Sequence, residues 1–322
     1  MSDELQCLNL QNGVKIPSVA FGCAFGDWVG KSDFQGFLPE QAWYAVNAAL
    51  DAGYTALDGA HVYGTERIVG SILGQRLASG ALQREELFIT TKLAHPAAPP
   101  HINLSHLRTW DADKVDSIEE RLKDDFARTL DDLAFGYVDL LLIHWPGTFA
   151  GTDASFAREA RARIWKTFIE LYKKGATRAI GVSNFTKEHL TSLMEDVSEI
   201  KPMVNQVEYH PYCQDRSLQE FCQEHHIVLA AYAPFASGAF SMLKDPVLVK
   251  IAENHRVSVG QVILRWHVQS GRCVLPKSSN PKRMKQNLAL FDFSLSDEEI
   301  AQIDALGSGD PQRTCPDPSS IV

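Results

Sequence analysis

The feature that most constrains this chain is a regular alternation of short β-branched apolar runs with longer segments of helical period. Eight such runs recur along the 322 residues. This alternation is typical of repeated βαβ units and a parallel sheet. The predicted strands are residues 19–21, 55–58, 87–92, 138–144, 179–183, 203–208, 228–232 and 273–276.

The segments between the predicted strands carry helical signals. One segment places apolar side chains at steps of four and three, namely Ile118, Leu122, Phe126, Leu130 and Leu133. Further helices are predicted to end before Gly53, to begin after Thr186, and to span residues 246–255, 258–269 and 297–306.

Eight βα units without a Pro/Gly/Ser-rich linker favour one α/β domain over residues 1–322, a (β/α)8 TIM barrel, rather than a two-domain doubly wound enzyme. A Rossmann fingerprint is also missing, since Gly307-Ser308-Gly309 is followed by Asp310 and lies near the C-terminus. Asn12-Gly13 predicts a type I′ hairpin that covers the bottom of the barrel.

Composition excludes several classes of partner. The chain has 31 Lys+Arg and 40 Asp+Glu, a formal charge of −9, and no long basic stripe, which argues against nucleic-acid binding and membrane-surface binding. No apolar run is long enough to cross a bilayer, and no secretory signal is visible. The six cysteines form no C-x-x-C pair and no metal-binding pattern. We therefore expect a cytoplasmic protein with free thiols and without a metal.

Polar residues stand where several predicted strands end, which is where barrel enzymes place reactive groups. Asp58 ends the second strand and is followed by Tyr63, Lys92 ends the third, and His144 ends the fourth. A lysine ammonium lowers the pKa of a nearby tyrosine, ordinarily about 10, and a carboxylate keeps that lysine charged. With a histidine to orient a carbonyl oxygen, such groups protonate that oxygen during reduction by a hydride donor.

Each of these four residues also has a structural interpretation. Asp58 and Lys92 are compatible with an ordinary ion pair, Tyr63 with a loop aromatic, and His144 with a core histidine. Four such residues at adjacent strand ends are hard to explain by packing, so we favour the catalytic interpretation of the set.

Six motifs in order carry a resemblance that spans nearly the whole chain. They are Leu57-Asp58-Gly59-Ala60 with Tyr63-Gly64-Thr65-Glu66, Thr90-Thr91-Lys92-Leu93, Leu142-Ile143-His144-Trp145-Pro146, Gly181-Val182-Ser183-Asn184-Phe185, Asn205-Gln206-Val207-Glu208-Tyr209-His210-Pro211 and Leu275-Pro276-Lys277-Ser278. With these motifs the chain resembles the aldo-keto reductases, (β/α)8 barrels that reduce aldehydes and ketones, aldose sugars among them, with a nicotinamide cofactor.

The resemblance assigns roles to individual residues. It implies a catalytic tetrad of Asp58, Tyr63, Lys92 and His144, in which Tyr63 is the general acid for reduction. It places Ser183, Asn184 and Gln206 at the carboxamide of the cofactor and Tyr232 under the nicotinamide ring.

The resemblance also implies a site for the adenosine half of the cofactor. Lys277, Ser278, Asn280 and Arg283 match the contacts of the 2′-phosphate, and Gln286 and Asn287 lie near the adenine. The segment carries three cations and no acid beside a helix start, so NADPH is favoured over NADH.

Two positions depart from the family pattern. Gly59 replaces a threonine or serine, and Ala233 replaces a serine that offers a hydroxyl to the pyrophosphate. Ser237 is a candidate substitute for that hydroxyl.

Substrate contacts are expected from loops over the barrel mouth. The candidates are Phe25 and Trp28 in the loop after strand one, His61, Trp110 in the loop after strand three, and Trp145 beside the catalytic histidine. The tail from Asp310 resembles the family's C-terminal specificity loop in place, although disorder is an equal alternative. An aromatic pocket suits hydrophobic aldehydes or small sugars.

The sequence is compatible with three functions. The intact tetrad favours an NADPH-dependent carbonyl reductase. A cofactor-binding regulatory or structural barrel with little turnover is the main alternative, and a metal-dependent hydrolase ranks last. The resemblance implies a small-molecule carbonyl substrate and a monomer or weak dimer.

Overall fold

An N-terminal hairpin closes one end of the molecule. The computed structural model describes residues 6–29, 33–93, 118–147 and 154–321, and for residues 27–29 and 33–37 it describes only the backbone. The hairpin pairs β1 (Cys7–Asn9) with β2 (Lys15–Pro17). Side chains of its turn donate to the carbonyl oxygens of Pro202, His226 and Arg178, each of which precedes a barrel strand. The hairpin therefore covers the barrel bottom, as predicted.

The type of this turn was predicted wrongly. A type I′ turn needs positive φ at both central residues, but only Gly13 (φ 82°) has one and Asn12 does not. Instead, the Gly13 N–H donates to Leu10 O at 2.9 Å, and the left-handed glycine follows that closed turn. The longer connection between the strands removes the constraint that requires a two-residue primed turn.

Eight parallel strands form the barrel, in sequence order around the sheet. They are β3 (Phe21–Gly22), β6 (Ala56–Asp58), β7 (Phe88–Leu93), β8 (Leu140–Ile143), β9 (Ile180–Ser183), β10 (Val204–Glu208), β11 (Val228–Tyr232) and β12 (Cys273–Leu275). The first and last strands meet through a parallel bridge between Val19 and Val274. The strands β4 (Gly26–Val29) and β5 (Asp33–Phe37) form an antiparallel pair inserted after β3.

Helices follow the barrel strands and cover the outside of the sheet. They are α1 (Gln41–Ala52), α2 (Glu66–Ala78), α3 (Ile118–Leu133), α4 (Ala154–Lys173), α5 (Lys187–Asp196), α6 (Arg216–Glu224), α7 (Pro246–His255), α8 (Val259–Gln269), α9 (Pro281–Leu288) and α10 (Asp297–Ala305). The predicted barrel is confirmed, and so are the left-handed Gly53 that ends α1 and the Thr186 cap of α5. None of the described helices combines the length and apolarity that a membrane crossing requires.

Burial explains why the strands appeared as continuous apolar runs. Every residue of β8, β9 and β10 is buried, because helices cover one face and the barrel interior covers the other. The strand ends at the C-terminal side, which we call the mouth, carry the polar exceptions.

Helices α2 and α3 approach closely at Gly70. A Cβ built on Gly70 would lie 2.3 Å from the carbonyl oxygen of Asp132, whereas a Cβ on Gly74, one turn later in α2, would meet nothing within 4 Å. The absence of a side chain at Gly70 therefore sets the spacing of these two helices.

This spacing predicts opposite effects for two otherwise equivalent substitutions. Gly70→Ala should lower the free energy of unfolding by about 1–3 kcal/mol, because the backbone of α3 must move away. Gly74→Ala should raise it by about 0.5–1 kcal/mol, because alanine is the better helix former in open space. Guanidinium unfolding of both variants measures the difference, and a Gly70→Ala variant as stable as Gly74→Ala would contradict the packing described.

Candidate active site

The four predicted catalytic residues converge at the mouth. Asp58 is the last residue of β6, Lys92 lies in β7, and His144 follows β8 directly. Tyr63 ends a 3-10 turn, His61–Tyr63, that Gly64 terminates with a φ of 66°. Neighbouring strand ends therefore supply three members and the loop after β6 supplies the fourth.

A buried ion pair forms the centre of this group. The Nζ atom of Lys92 lies 2.7 Å from Oδ2 of Asp58 and 2.8 Å from the carbonyl oxygen of Gly59. The same Nζ lies 3.5 Å from the hydroxyl of Tyr63. The ring of His144 packs edge-on against the Tyr63 ring, with centroids 5.6 Å apart. Asp58 and Lys92 thus form the ion pair that the sequence suggested, and Lys92 also contacts the hydroxyl of Tyr63.

The ionisation of the group differs from the expectation in one respect. Burial opposes the charge of Lys92, but Asp58 and Tyr63 outweigh it, so the pKa of Lys92 is raised. The sequence predicted a lowered pKa for Tyr63. Burial instead raises the pKa of Tyr63 by more than Lys92 lowers it, and the phenol keeps its proton.

The imidazole of His144 is neutral. Burial, together with the positive charge of Lys92, holds the pKa of His144 well below its usual range. A neutral ring has one N–H to donate, so His144 can orient a carbonyl oxygen without adding a charge.

The residues predicted for the carboxamide join the same hydrogen-bond network. The side-chain amide of Gln206 donates to Oδ1 of Asp58 at 2.7 Å. The hydroxyl of Ser183 donates to the carbonyl oxygen of Gln206 at 2.9 Å. One carboxylate oxygen of Asp58 therefore accepts a hydrogen bond from Lys92, and the other accepts one from Gln206.

Asn184 links the neighbouring strand ends. Its amide nitrogen donates to the carbonyl oxygen of His144 at 2.9 Å, and its amide oxygen accepts from the hydroxyl of Tyr232 at 2.7 Å. The backbone of Asn184 is left-handed (φ 64°), a conformation that asparagine tolerates better than most residues. The structure thus brings Ser183, Asn184, Gln206 and Tyr232 together beside the tetrad.

The predicted phosphate-binding segment surrounds the start of α9. Oδ1 of Asn280 accepts from the backbone N–H groups of Lys282 and Arg283, at 2.9 and 3.2 Å, and thereby caps the helix. Arg283 Nε donates to the buried Ser278 hydroxyl at 3.4 Å. The two helix amides are already bonded, which leaves the cationic side chains as the groups that suit an anion.

Other predicted cofactor residues lie nearby with different surroundings. Lys277 donates to the carbonyl oxygen of Ala24, at 2.9 Å, where the ends of the first and last barrel strands adjoin. Gln286 is half-buried and Asn287 is buried on α9. Ser237 is exposed, with a left-handed φ of 51°, in the loop after β11.

The predicted substrate residues have different surroundings. Trp145 is half-buried directly beside His144. Phe25 is buried, and its ring lies under the Nζ of Lys277 at 5.5 Å. The imidazole of His61 contacts Glu66 and the hydroxyl of Thr129. Trp110 and the side chain of Trp28 lie outside the described residues.

Two buried carboxylates within the recognised motifs, Glu66 and Glu208, were not among the predicted site residues. Glu66 accepts from Thr91 and Thr129, at 2.6 and 2.9 Å, directly after the turn that carries Tyr63. Glu208, at the end of β10, accepts from Thr314 of the C-terminal tail. The sequence pointed to these two carboxylates only through their position, because both lie in motifs that also contain predicted site residues.

The C-terminal tail lies against the mouth, in the place that the resemblance implies for the specificity loop. The thiol of Cys315 lies beside the hydroxyl of Tyr232 and near enough to Tyr63 to affect the pKa of that phenol. Burial and the nearby Glu208 raise the pKa of the Cys315 thiol to about 12, so the thiol is protonated at neutral pH. The tail therefore reaches the predicted reaction centre.

Comparisons with known proteins identify the family of this chain. The model of the aldo/keto reductase family matches residues 23–308. A glyoxal reductase of Bacillus subtilis is 37% identical over 315 residues, covering 98% of this chain and 97% of the relative. A 9,11-endoperoxide prostaglandin H2 reductase of Trypanosoma cruzi is 36% identical over 322 residues, covering 98% of each chain.

A solved structure gives the same result for the fold. The crystal structure of an aldo-keto reductase from Bombyx mori in complex with NADP matches with a TM-score of 0.77 and 31% identity, covering 96% of this chain and 94% of that one. The resemblance that the six motifs carried is thereby confirmed. The chain belongs to the aldo/keto reductase family of NAD(P)H-dependent oxidoreductases.

Proposed function

We propose that this protein reduces aldehydes and ketones to alcohols with NADPH, and that Tyr63 donates the proton. The observation that carries the proposal is the contact of the protonated Tyr63 hydroxyl with Nζ of Lys92 at 3.5 Å, beside the neutral His144. A general acid must hold its proton before the reaction and must lose it easily during the reaction. Burial provides the first condition, and the lysine ammonium provides the second.

The residues act on the carbonyl oxygen. NADPH, when bound, would supply a hydride to the carbonyl carbon, and negative charge would develop on the carbonyl oxygen. The Tyr63 hydroxyl donates a proton to that oxygen, and Lys92 stabilises the resulting phenolate. Asp58 holds Lys92 in position at 2.7 Å, and the N–H of His144 orients the oxygen.

The chain's own residues fit a phosphorylated dinucleotide. Ser183, Asn184 and Gln206 offer amide and hydroxyl groups beside Tyr63, which suits a carboxamide. Lys277, Ser278 and Arg283 offer two cations and a hydroxyl at the start of α9, which suits a 2′-phosphate. The NADP complex of the Bombyx mori relative supports the same cofactor here.

The substrate class is supported by the relatives and by the mouth. Glyoxal reductase, as the name of one relative states, acts on a small dicarbonyl compound. The half-buried Trp145 offers an aromatic wall beside His144, which suits a hydrophobic aldehyde. We therefore place small reactive aldehydes at the head of the substrates to be tested.

Removal of the Tyr63 hydroxyl tests the proposed acid. Tyr63→Phe should lower kcat for reduction of 4-nitrobenzaldehyde by about 10²–10⁴-fold, the usual contribution of a general acid. The affinity for NADPH should stay within about twofold, since the ring is retained. The rate of NADPH oxidation gives kcat, and a fluorescence titration gives the affinity for NADPH. Tyr44→Phe, at an 81% exposed position, is the control. Equal turnover of Tyr63→Phe and wild type would exclude Tyr63 as the acid.

Removal of one cation tests the phosphate site. Lys277→Met should raise the Kd for NADPH by about 10–100-fold, which corresponds to one lost charge-assisted hydrogen bond. The Kd for NADH should change by less than about threefold, because NADH lacks the phosphate. Lys285→Met removes an exposed charge from the neighbouring helix α9 and serves as the control. Equal weakening of both nucleotides would place the 2′-phosphate elsewhere.

The ionisation states predict the pH dependence of reduction. Tyr63 has a raised pKa and stays protonated, and His144 has a lowered pKa and stays neutral, across the range of about pH 6–9. We therefore expect kcat to vary by less than about twofold over that range. His144→Asn retains an N–H donor but cannot titrate there. An acid limb near a pKa of about 6.5 in wild type that His144→Asn removes would contradict the neutral imidazole.

A further inference from the structure

We infer that Glu208 is a positioning residue that fixes the C-terminal tail, residues 312–321, over the mouth and thereby determines which carbonyl compounds the site accepts. This inference rests on the proposed reductase function for its substrate part. Its structural part, the attachment of the tail, is independent of catalysis.

Glu208 ends β10, two residues after Gln206, on the same face of the strand. Its carboxylate accepts three hydrogen bonds from consecutive tail residues. The backbone N–H and the hydroxyl of Thr314 donate to Oε1 at 2.7 and 2.6 Å, and the backbone N–H of Cys315 donates to Oε2 at 3.2 Å. The strand that carries a cofactor residue therefore also carries the anchor of the tail.

The burial of Glu208 makes these donors necessary. The side chain has no exposed surface, and burial of an unpaired carboxylate is strongly unfavourable. Burial opposes the charge, but the nearby His210 and the hydrogen bonds from Thr314 outweigh it, and the pKa of Glu208 is lowered. Apart from Nε2 of His210, 3.4 Å from Oε1, the donors described here come from the tail. If the tail left, the carboxylate would lose three of its donors.

Other residues of the tail contact the fold on either side of this segment. The backbone N–H of Gln312 donates to Tyr212 O at 2.8 Å, and the Nε2 atom of His189 lies 3.0 Å from Ile321 O. Thr314 and Cys315 lie between these two points. Glu208 is therefore the anchor nearest to the reaction centre.

The segment held by Glu208 forms part of the wall beside the reacting atoms. The thiol of Cys315 lies beside Tyr232, and it is near enough to Tyr63 to affect the pKa of that phenol. A displaced tail would remove this wall from a bulky substrate, whereas a small dicarbonyl compound bound at Tyr63 and His144 needs little of it. Glu208 should therefore affect KM for bulky substrates and leave the chemical step for small ones unchanged.

The experiment compares full-length Glu208→Gln with wild type on two substrates. For 2-naphthaldehyde, KM should rise by about tenfold, the effect of weakening one charged hydrogen-bond set. For methylglyoxal, kcat and KM should stay within about threefold. Glu224→Gln, an exposed glutamate on α6, is the matched control. Equal loss of kcat on both substrates would show that Glu208 acts on the reaction centre and would overturn the inference.

Limited proteolysis measures the attachment without any turnover. Arg313 lies next to Thr314, so trypsin cleavage after Arg313 reports how often the tail opens. Glu208→Gln should accelerate this cleavage by about tenfold in the presence of NADPH. Unchanged cleavage would overturn the inference even if the protein proves to be an active reductase. Accelerated cleavage with no reductase activity in wild type would reject the proposed function but keep the anchor.

A second pair of variants covers the case in which Glu208→Gln does not fold. Thr314→Ala removes the hydroxyl that donates to Oε1 at 2.6 Å, and Thr314→Ser retains it. Thr314→Ala should accelerate cleavage and raise KM for 2-naphthaldehyde, and Thr314→Ser should match wild type. If both changes act through one contact, the effect of Glu208→Gln should be smaller in the Thr314→Ala background than alone. Identical behaviour of the alanine and serine variants would overturn the inference.

Discussion

Lys92 carries a full positive charge into the barrel interior, and the geometry of the site follows from how that charge is compensated. Removing an ammonium group from water costs several kcal/mol, so the charge persists only with close partners. Asp58 and the carbonyl oxygen of Gly59 supply them at 2.7 and 2.8 Å. The remaining oxygen of Asp58 then needs its own donor, which Gln206 provides at 2.7 Å. The tetrad and the carboxamide residues are thus parts of one electrostatic arrangement.

Strand register makes this compensation possible. Asp58 pairs with Thr90, and Lys92 lies two residues further along β7 on the same face of the pleat. A slip of one residue between β6 and β7 would turn either the carboxylate or the ammonium towards the helices. The closely packed barrel outside, including the contact of α2 with α3 at Gly70, therefore protects the register on which the ion pair depends.

The sequence predicted what local pattern and strand order determine. The eight strands, the capping residues Gly53 and Thr186, and the convergence of the tetrad all followed from periodicity and from the shared edge of parallel strands. The direction in which the pKa of Tyr63 shifts could not be predicted in this way. It depends on the balance between burial, which raises the pKa, and Lys92, which lowers it, and only three-dimensional packing sets that balance. The attachment of the tail to Glu208 was equally hidden, since it joins residues 106 positions apart without a recurring motif.

The chain has a net charge of −9, so an anionic cofactor needs a local group of donors or cations. The Asn280 cap of α9 determines which of these groups are free at the proposed phosphate site. A free helix start attracts any anion, but here Oδ1 of Asn280 already occupies the N–H groups of Lys282 and Arg283. In the proposed site, discrimination in favour of a 2′-phosphate therefore depends on side-chain cations, chiefly Lys277 and Arg283. Because side chains can be exchanged without moving the backbone, we expect the preference between NADPH and NADH to be separable from the fold that holds the dinucleotide.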